Sequence, residues 1–243
     1  YYEPDGTNIN AHCGSTHLEA LQKMVKDGGY DVGVAFDGDA DRCLIVDDKG
    51  EVLDGDRIMA VCAVELKRQN KLRGNAFVAT ILSNMGLHAY AKQHGISIEC
   101  SNVGDRYVLE KMLDKGYILG GEQSGHVIFL EYATTGDGEL TAIQFLKMLK
   151  DSGKRASEIA AEVVPWPQIM INVQVPTAMK YAISDRQEVQ DAIEKEKQGL
   201  GEGRILVRPS GTEPLVRVMV EGKDKDSVYK AAEAVAGVIE SIL

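Results

Sequence analysis

The sequence predicts an α/β fold, in which a mixed α/β region extends to residue 164 and a smaller α+β domain follows it. Apolar segments of strand length alternate with segments of helical periodicity, which is the pattern of an α/β protein. Apolar residues make up 44% of the chain and charged residues 26%, which excludes a disordered or coiled-coil protein. At residues 163–167 two prolines flank the only tryptophan, and this change in composition indicates a domain boundary.

The first region contains six predicted strands and five predicted helices. The strands are short apolar runs bounded by turn residues, at 31–36, 43–46, 76–81, 97–100, 117–119 and 127–130. The first helix carries Leu18, Leu21 and Val25 on one face, and the others are expected at 57–69, 85–94, 107–115 and 139–150. Beyond the boundary we expect strands at 169–175, 205–207 and 215–219 and helices at 186–197 and 227–242.

Four details of these helices are specific enough to be tested. Ser15 or Thr16 is expected to cap the first helix, with Glu19 completing a capping box. Val108, Met112 and Leu113 are expected to face the core from the helix at 107–115. In the helix at 139–150 the predicted buried stripe consists of Leu140, Ile143, Leu146 and Leu149. The segments 54–57 and 134–138 are expected to form helix starts.

Charge and apolar content limit the partners. The 243 residues carry 27 Lys and Arg against 37 Asp and Glu, a net charge of −10, so neither nucleic acid nor an anionic membrane is expected as a partner. A small anionic ligand held by a few arginines stays open. No apolar stretch approaches 18 residues, so no membrane span is expected. Cys13, Cys43, Cys62 and Cys100 lack CxxC spacing and predict reduced, buried thiols in a cytoplasmic protein.

The first loop that indicates chemistry is acidic and lies between the first two strands. Asp37, Asp39 and Asp41 alternate with the small residues Gly38 and Ala40, so the loop can fold round one cation. Oxygen ligands of this kind select a hard divalent ion such as Mg²⁺. The EF-hand pattern fails because its sixth position would be Arg42 instead of glycine. The alternative is a solvated acidic turn, and Arg42 is either a phosphoryl-orienting group or an ion-pair partner of the carboxylates.

The second loop, GGEQSGH, covers residues 120–126. In an extended loop Glu122 and Ser124 point the same way, so a carboxylate and a hydroxyl can hydrogen-bond neighbouring sugar hydroxyls or an amine. His126 is either an acid/base group near neutral pH or a hydrogen-bonded structural residue. The alternative for the whole loop is an ordinary hairpin turn.

The third loop, RPSGTEP, covers residues 208–214 and lies between two strands of the second domain. Amides and hydroxyls of Ser210, Gly211 and Thr212 can cradle a phosphate, while Arg208 and Arg217 supply forked cationic donors. No lysine and no helix follow, so this is not a nucleotide loop of the GxxxxGK[ST] kind. The alternative is a structural Pro-Gly turn.

In this order the loops resemble the α-D-phosphohexomutase superfamily, and within it the bacterial phosphoglucosamine mutases. The resemblance rests on PDGTNIN from Pro4, CGSTH from Cys13, DGDADR from Asp37, GEQSGH from Gly121, TTGDG from Thr134 and RPSGTEP from Arg208. It implies three-layer α/β/α domains and a C-terminal domain like the TATA-box-binding protein. The implied domains are the end of domain 2 at 1–52, domain 3 at 53–164 and domain 4 at 165–243.

The resemblance also implies an activity and residue roles. Such isomerases interconvert glucosamine 6-phosphate and glucosamine 1-phosphate through a 1,6-bisphosphate, for UDP-N-acetylglucosamine and cell-wall synthesis, with a phosphoserine held by Mg²⁺. By motif, Asp37, Asp39 and Asp41 would bind Mg²⁺ and Arg42 would lie by the transferring phosphoryl group. The substrate-binding residues would be Glu122, Ser124, Arg208, Ser210, Gly211, Thr212 and Arg217. His126 would be a candidate for proton transfer.

The sequence departs from the family in one respect. It has no Ser-His loop of the TASHNP type, and it opens with Tyr1-Tyr2-Glu3-Pro4 instead of an initiator methionine. We therefore expect a fragment that binds Mg²⁺ and phosphosugar, is inactive alone, and has the missing N-terminal domains as its partner. Homodimerisation of the full-length enzyme is a further expectation of the resemblance.

Two other functions stay open. An apolar strand followed by Asp37-Gly38-Asp39 also resembles haloacid-dehalogenase-type phosphatases, with Asp37 as nucleophile and Asp39 as acid/base. Against that, Asp41 stands where a small residue is expected, and the other two loops stay unexplained. The third hypothesis is a non-catalytic module that binds a phosphosugar or a protein partner.

Overall fold

The computed structural model describes residues 5–243, so Pro4 and the other residues of the chain's opening lie outside the described residues. The chain forms two compact units that divide between Val164 and Pro165. The predicted α/β class is confirmed. No helix in residues 5–243 combines the length and the apolar character needed to cross a bilayer.

The first unit contains two sheets. The strands are β1 Val32–Phe36, β2 Cys43–Asp47, β3 Val52–Leu53, β4 Ala76–Thr80, β5 Ser97–Ser101, β6 Leu119–Gly121 and β7 Val127–Phe129. Strands β1, β2 and β3 form an antiparallel sheet, and the second sheet has the order β5-β4-β6-β7. In the second sheet β4 runs parallel to β5 and β6, whereas β7 is antiparallel to β6. The acidic loop therefore joins two antiparallel neighbours, β1 and β2.

Helices cover both faces of the second sheet. The helices of this unit are α1 Glu19–Gly28, which packs on β1 and β2 of the first sheet, and α2 Gly55–Arg68, α3 Met85–Gln93, α4 Asp105–Lys115, α5 Gly138–Ser152 and α6 Ala156–Glu162. One large core joins both sheets to α2, α3, α5 and α6, and includes Ile45, Phe77 and Phe145, all fully buried. On the other face Val78 and Ile128 pack against Val108 and Met112 of α4. The result is a three-layer α/β/α arrangement in which one core supports both loops of this unit.

The expected cap of α1 and the expected burial of Leu113 in α4 were both wrong. Residues Gly14–Thr16 form a 3-10 turn in which the His17 N–H bonds to the Gly14 carbonyl, so α1 begins at Glu19 and has no side-chain cap. Leu113 is 60% exposed, because the core side of α4 is filled by Val108 and Met112.

The predicted stripe of α5 is wrong at its centre. The helix buries Thr141, Ala142, Phe145 and Met148, while Ile143 is 62% exposed and Leu146 is exposed. Each of these buried residues is thus a sequence neighbour of a predicted one. Neighbouring residues of an α-helix point about 100° apart, so the helix presents a different face to the core than the sequence suggested. Strand β3 and helix α6 were not predicted. The expected helix starts do occur, because the side chains of Asp54 and Asp137 accept N–H bonds from Arg57 and Leu140.

The second unit is a two-layer α+β domain. Its elements are β8 Gln168–Gln174, α7 Gln187–Leu200, β9 Gly203–Pro209, β10 Leu215–Gly222 and α8 Lys225–Ser241. The sheet is antiparallel with β10 in the centre. Val216, Val218 and Val220 alternate along β10 and pack into a core with residues of α7 and α8. The intervening residue Arg217 is thereby placed on the opposite face of the sheet.

Candidate functional site

The acidic loop brings its three carboxylates together. Asp37, Asp39 and Asp41 each offer an oxygen, and these oxygens lie within 4.8 Å of one another. The turn that achieves this places Ala40 at φ 60°, a conformation that costs a residue with a Cβ atom roughly 1 kcal/mol. The Ala40 carbonyl accepts the Gly138 N–H at 2.9 Å, so the N-terminus of α5 holds the loop in this shape.

One buried carboxylate oxygen of the loop is left without a partner. Oδ1 of Asp41 makes no hydrogen bond among the described residues, and neither does Nε of Arg42. Arg42 lies beside the cluster, with Nε 3.6 Å from Oδ2 of Asp37 and 4.0 Å from Oδ1 of Asp41. An orphaned carboxylate oxygen in a group of three converging carboxylates is costly without a cation. The donor set therefore fits a hard divalent ion such as Mg²⁺.

His126 connects the acidic loop to the second loop. Its ring is 3% exposed, Nδ1 lies 2.9 Å from Oδ2 of Asp41, and Nε2 accepts the Gly136 N–H at 3.0 Å. Because a backbone N–H can only donate, Nε2 is the acceptor, and the neutral ring carries its proton on Nδ1 and donates it to Asp41. Both nitrogens are thus engaged, Nδ1 with Asp41 and Nε2 with Gly136, and the buried ring presents neither to open solvent.

Close backbone packing makes this connection possible. A Cβ atom at Gly125 would lie 2.4 Å from the Cys43 carbonyl oxygen, and Gly125 has φ +96°. Only glycine meets both requirements without strain. The Cys43 N–H also bonds to the Gly125 carbonyl at 3.1 Å, and Arg42 and His126 form an isolated antiparallel bridge. The acidic loop and the second loop are therefore adjacent parts of one site.

The second loop is a hairpin turn between β6 and β7 and not the extended loop that was predicted, because the Gly125 N–H donates to the Glu122 carbonyl at 3.0 Å; the turn still brings Glu122 and Ser124 close together. Oγ of Ser124 lies 3.5 Å from Oε2 of Glu122, and Oε1 of Glu122 accepts the Gly104 N–H at 2.9 Å. Gly104 is the residue before α4, so the positive end of that helix holds the carboxylate. Ser124 is exposed and Glu122 half-buried, which leaves oxygen atoms of both residues accessible to hydroxyl donors.

The third loop lies in the second unit. Arg208 and Arg217 are direct partners in the β9–β10 register, so two guanidinium groups stand side by side on one face of the sheet. The Nε atoms of both have no hydrogen-bond partner among the described residues. Burial, followed by the neighbouring charge of Arg217, lowers the pKa of Arg208. Like charges directly opposite each other destabilise a sheet, and a bound anion would offset that cost.

The loop between these strands is closed by its own hydrogen bonds. The buried Ser210 donates its N–H to the Leu215 carbonyl at 2.9 Å, and its Oγ accepts the Glu213 N–H at 3.2 Å. Gly211 and Thr212 form the exposed tip. The carboxylate of Glu213 lies 3.1 Å from a terminal nitrogen of Arg217, where it neutralises part of the arginine pair.

Sequence reasoning found the loops but missed the groups that hold them. The Gly104 N–H that fixes Glu122 comes from the start of α4, which no motif connected to the second loop; in the same turn the Arg106 side chain is 81% exposed and pairs with Glu110. The anchor of His126 on Gly136 was not predicted either. Gly136 follows Thr134 and Thr135, a pattern that predicted a helix start. Nothing in that local sequence indicates that His126, ten residues earlier, packs against Gly136.

Comparison with known proteins assigns the chain to a family. Three domain models match it: "Phosphoglucomutase/phosphomannomutase, alpha/beta/alpha domain II" at residues 3–50, "alpha/beta/alpha domain III" at 54–165 and the "C-terminal domain" at 170–238. Together these ranges cover nearly the whole chain, and the acidic, second and third loops each fall in a different one. The chain belongs to the phosphoglucomutase/phosphomannomutase family.

Within this family, similar curated proteins are named phosphoglucosamine mutase. The protein of Ruminiclostridium cellulolyticum is 56% identical over 242 residues, which are 99% of this chain and 54% of that protein. The protein of Thermoanaerobacter sp. is 53% identical over 239 residues, or 98% of this chain and 54% of the relative. The chain thus spans about half the length of the curated relatives that it matches.

Solved structures share the fold. Aspergillus fumigatus N-acetylphosphoglucosamine mutase in complex with GlcNAc-6P and magnesium has a TM-score of 0.76 at 22% identity, over 96% of this chain and 53% of that chain. An N-acetylglucosamine-phosphate mutase in a substrate complex has a TM-score of 0.73 at 21% identity, over 94% of this chain and 53% of its own. At these identities the likeness concerns the fold alone.

Proposed function

We propose that the chain supplies the metal, sugar and phosphate sites of a phosphoglucosamine mutase, an isomerase that interconverts glucosamine 6-phosphate and glucosamine 1-phosphate through a 1,6-bisphosphate. The observation that carries this proposal is the cluster of Asp37, Asp39 and Asp41, with an orphaned oxygen on Asp41, adjacent to the loop of Glu122 and Ser124. The relatives at 53–56% identity support an amino-sugar substrate. A product of this kind would serve UDP-N-acetylglucosamine and cell-wall synthesis.

In this proposal Asp37, Asp39 and Asp41 hold Mg²⁺. Bound Mg²⁺ would supply positive charge that stabilises a transferring phosphoryl group. Arg42 lies beside the cluster with an unused Nε–H, and we assign it the orientation of that phosphoryl group. His126 positions Asp41 through the 2.9 Å hydrogen bond, a role that replaces the proton transfer suggested by the motif.

The remaining residues bind the substrate. The Glu122 carboxylate accepts hydrogen bonds from sugar hydroxyls, and the Ser124 hydroxyl donates or accepts them. The Gly104 N–H holds the Glu122 carboxylate in position for this contact. Arg208, Ser210, Gly211, Thr212 and Arg217 clamp the phosphate group that is not reacting. A substrate that reacts at both ends must present either phosphate to the same clamp. A site that recognises only a phosphate and neighbouring hydroxyls can bind the substrate in both orientations.

Calorimetry tests this function on the chain itself. We expect glucosamine 6-phosphate to bind in the presence of Mg²⁺, and Arg208→Ala to weaken that binding at least tenfold, because a charge-assisted bidentate contact is lost. Arg68→Ala is the matched control, since Arg68 is 68% exposed and pairs with Glu65 on its own helix. Equal heats for the wild type and Arg208→Ala would remove the clamp from the proposal.

The phosphatase alternative makes a different prediction. It requires an aluminium or beryllium fluoride adduct on Asp37, whereas the mutase proposal requires Asp37 to coordinate a cation. No observation favours the phosphatase, since all three loops match one family of mutases. A fluoride adduct on Asp37 would revive it.

A further inference from the structure

A buried lysine lies against the third loop, and neither the motifs nor the proposed clamp includes it. Lys180 belongs to the segment between β8 and α7 and is only 5% exposed. Its Nζ donates to the main-chain carbonyl of Glu213 at 3.2 Å and lies 5.1 Å from the centroid of the Tyr181 ring. Lysine is almost never this buried unless its charge is compensated.

The contact of Lys180 fixes the far end of the loop. The Glu213 carbonyl also accepts the Leu215 N–H at 2.9 Å, and the neighbouring Pro214 carbonyl accepts the Val175 N–H at 3.0 Å. These bonds hold residues 213–215 against the segment that follows β8. The loop is therefore shaped from two sides, by Ser210 within it and by Lys180 outside it.

Glu213 has two roles that must be separated when an anion binds. Its carboxylate pairs with a terminal nitrogen of Arg217 at 3.1 Å and is 54% exposed, so a phosphate that takes this nitrogen displaces the carboxylate. Its main chain has to stay in place, because the Glu213 N–H is bonded to Ser210 and keeps the cradle closed. Lys180 bonds to the main chain of Glu213 and leaves its side chain free to move.

We propose that Lys180 is a positioning residue of the phosphate site, which holds the Glu213 carbonyl and the closed loop both before and after a dianionic phosphate monoester displaces the Glu213 carboxylate. This inference rests on the proposed function of the loop at 208–214. It adds a third cationic residue to the second unit's phosphate site, beside the arginine pair of Arg208 and Arg217.

The test is titration of the 243-residue chain with inorganic phosphate and with glucosamine 6-phosphate, at fixed salt. Lys180→Met should weaken binding about tenfold, which corresponds to about 1.4 kcal/mol. Lys180→Arg, which keeps the charge and a donor, should stay within about threefold of the wild type. Lys195→Met is the matched control, because Lys195 is 82% exposed on α7 and its loss changes the net charge equally.

A second readout separates positioning from a merely structural role. Saturating phosphate should raise the unfolding midpoint of the wild type, and at the same concentration it should raise that of Lys180→Met less, since the ligand-dependent stabilisation follows the affinity. A structural lysine would lower both midpoints and leave the phosphate-induced rise unchanged. If Lys180→Met does not fold, Lys180→Gln takes its place, because glutamine is too short to reach the carbonyl and should show the same loss.

The outcomes distinguish the two proposals. Wild-type binding together with unchanged affinity in Lys180→Met or Lys180→Gln overturns the role of Lys180 and leaves the clamp intact. Absence of binding to the wild type overturns the clamp, and with it the role of Lys180.

Discussion

Gly136 supports the geometry of the proposed metal site, and Gly136→Ala tests that support without changing a ligand. A Cβ atom at this position would lie 2.5 Å from Cε1 and Nε2 of the His126 ring and 2.6 Å from Nδ1. Ordinary contact begins at 3.4 Å, so the ring would have to retreat by about 0.9 Å. The ring is 3% exposed and has no room to do so without moving its neighbours.

The size of the effect follows from what the displaced ring loses. Overpacking a buried site costs about 1–3 kcal/mol. Losing the 2.9 Å bond to the Asp41 carboxylate costs about 1.5–3 kcal/mol, as for hydrogen bonds to charged groups. Since both costs arise from one displacement and are not additive, we expect a loss of about 2–4 kcal/mol in the free energy of unfolding. Mg²⁺ affinity should fall about 10- to 100-fold, the usual effect of losing a group that orients a metal ligand.

Urea unfolding followed by circular dichroism measures the first quantity, and calorimetric titration with Mg²⁺ measures the second. Gly237→Ala is the control, because its Cβ atom would meet nothing within 4 Å in helix α8. It should stabilise its unit by about 0.5–1 kcal/mol and leave Mg²⁺ affinity unchanged. If Gly136→Ala kept its unfolding free energy within 0.5 kcal/mol and its Mg²⁺ affinity within about twofold, the role assigned to His126 would be refuted.

Three further predictions concern other groups. Glu213→Gln should tighten phosphate binding by up to about fivefold, because an exposed ion pair with Arg217 no longer competes; weaker binding in calorimetry would contradict this. Asp39→Asn should abolish Mg²⁺ binding, and retained binding would exclude Asp39 as a ligand. The metal-free variant should unfold at a slightly higher urea concentration than the wild type, because one of three mutually repelling carboxylates has lost its charge. Burial raises the pKa of both Cys43 and Cys62 to about 12, so neither thiol should react with iodoacetamide near neutral pH. The free energy of unfolding should fall as the pH rises from about 9 towards 12, because the thiols of the unfolded chain ionise first. Labelling of either thiol in the native protein, detected by mass spectrometry, would argue against this burial.

The order of most elements was predictable, because every element except β3 and α6 has a local signal. Turn residues bound the strands, and the caps Asp54 and Asp137 lie where the sequence placed helix starts. The orientation of α5 was not predictable, because this helix carries apolar residues on more than one face. Thr141 is buried there and donates its hydroxyl to the Asp137 carbonyl, while the larger Ile143 faces solvent. Which stripe faces the core depends on the sheets that it packs against, and those contacts are distant in sequence.

The candidate site shows the same division. Asp37, Asp39 and Asp41 converge within one short loop, so spacing alone indicated a cation site. The bond from His126 to Asp41 joins residues 85 positions apart, and the bond from Gly104 to Glu122 depends on where α4 begins. Local sequence shows the donor types of such contacts, whereas their partners are set by the packing of the loops.

The histidine of the second loop illustrates this division, because its sequence context leaves open both an acid/base group and a hydrogen-bonded structural residue. A histidine next to a glycine and a strand has no local mark that separates a proton carrier from a positioning group. Both ring nitrogens of His126 are engaged in hydrogen bonds, one with Asp41 and one with Gly136, and this supports the proposed positioning role. The same reasoning applies to Lys180, whose sequence context is an unremarkable loop and whose single contact with Glu213 connects it to the anion site. In both proposals a buried polar side chain holds a neighbour that shapes the ligand site, so its contribution should be measured through ligand affinity as well as through turnover.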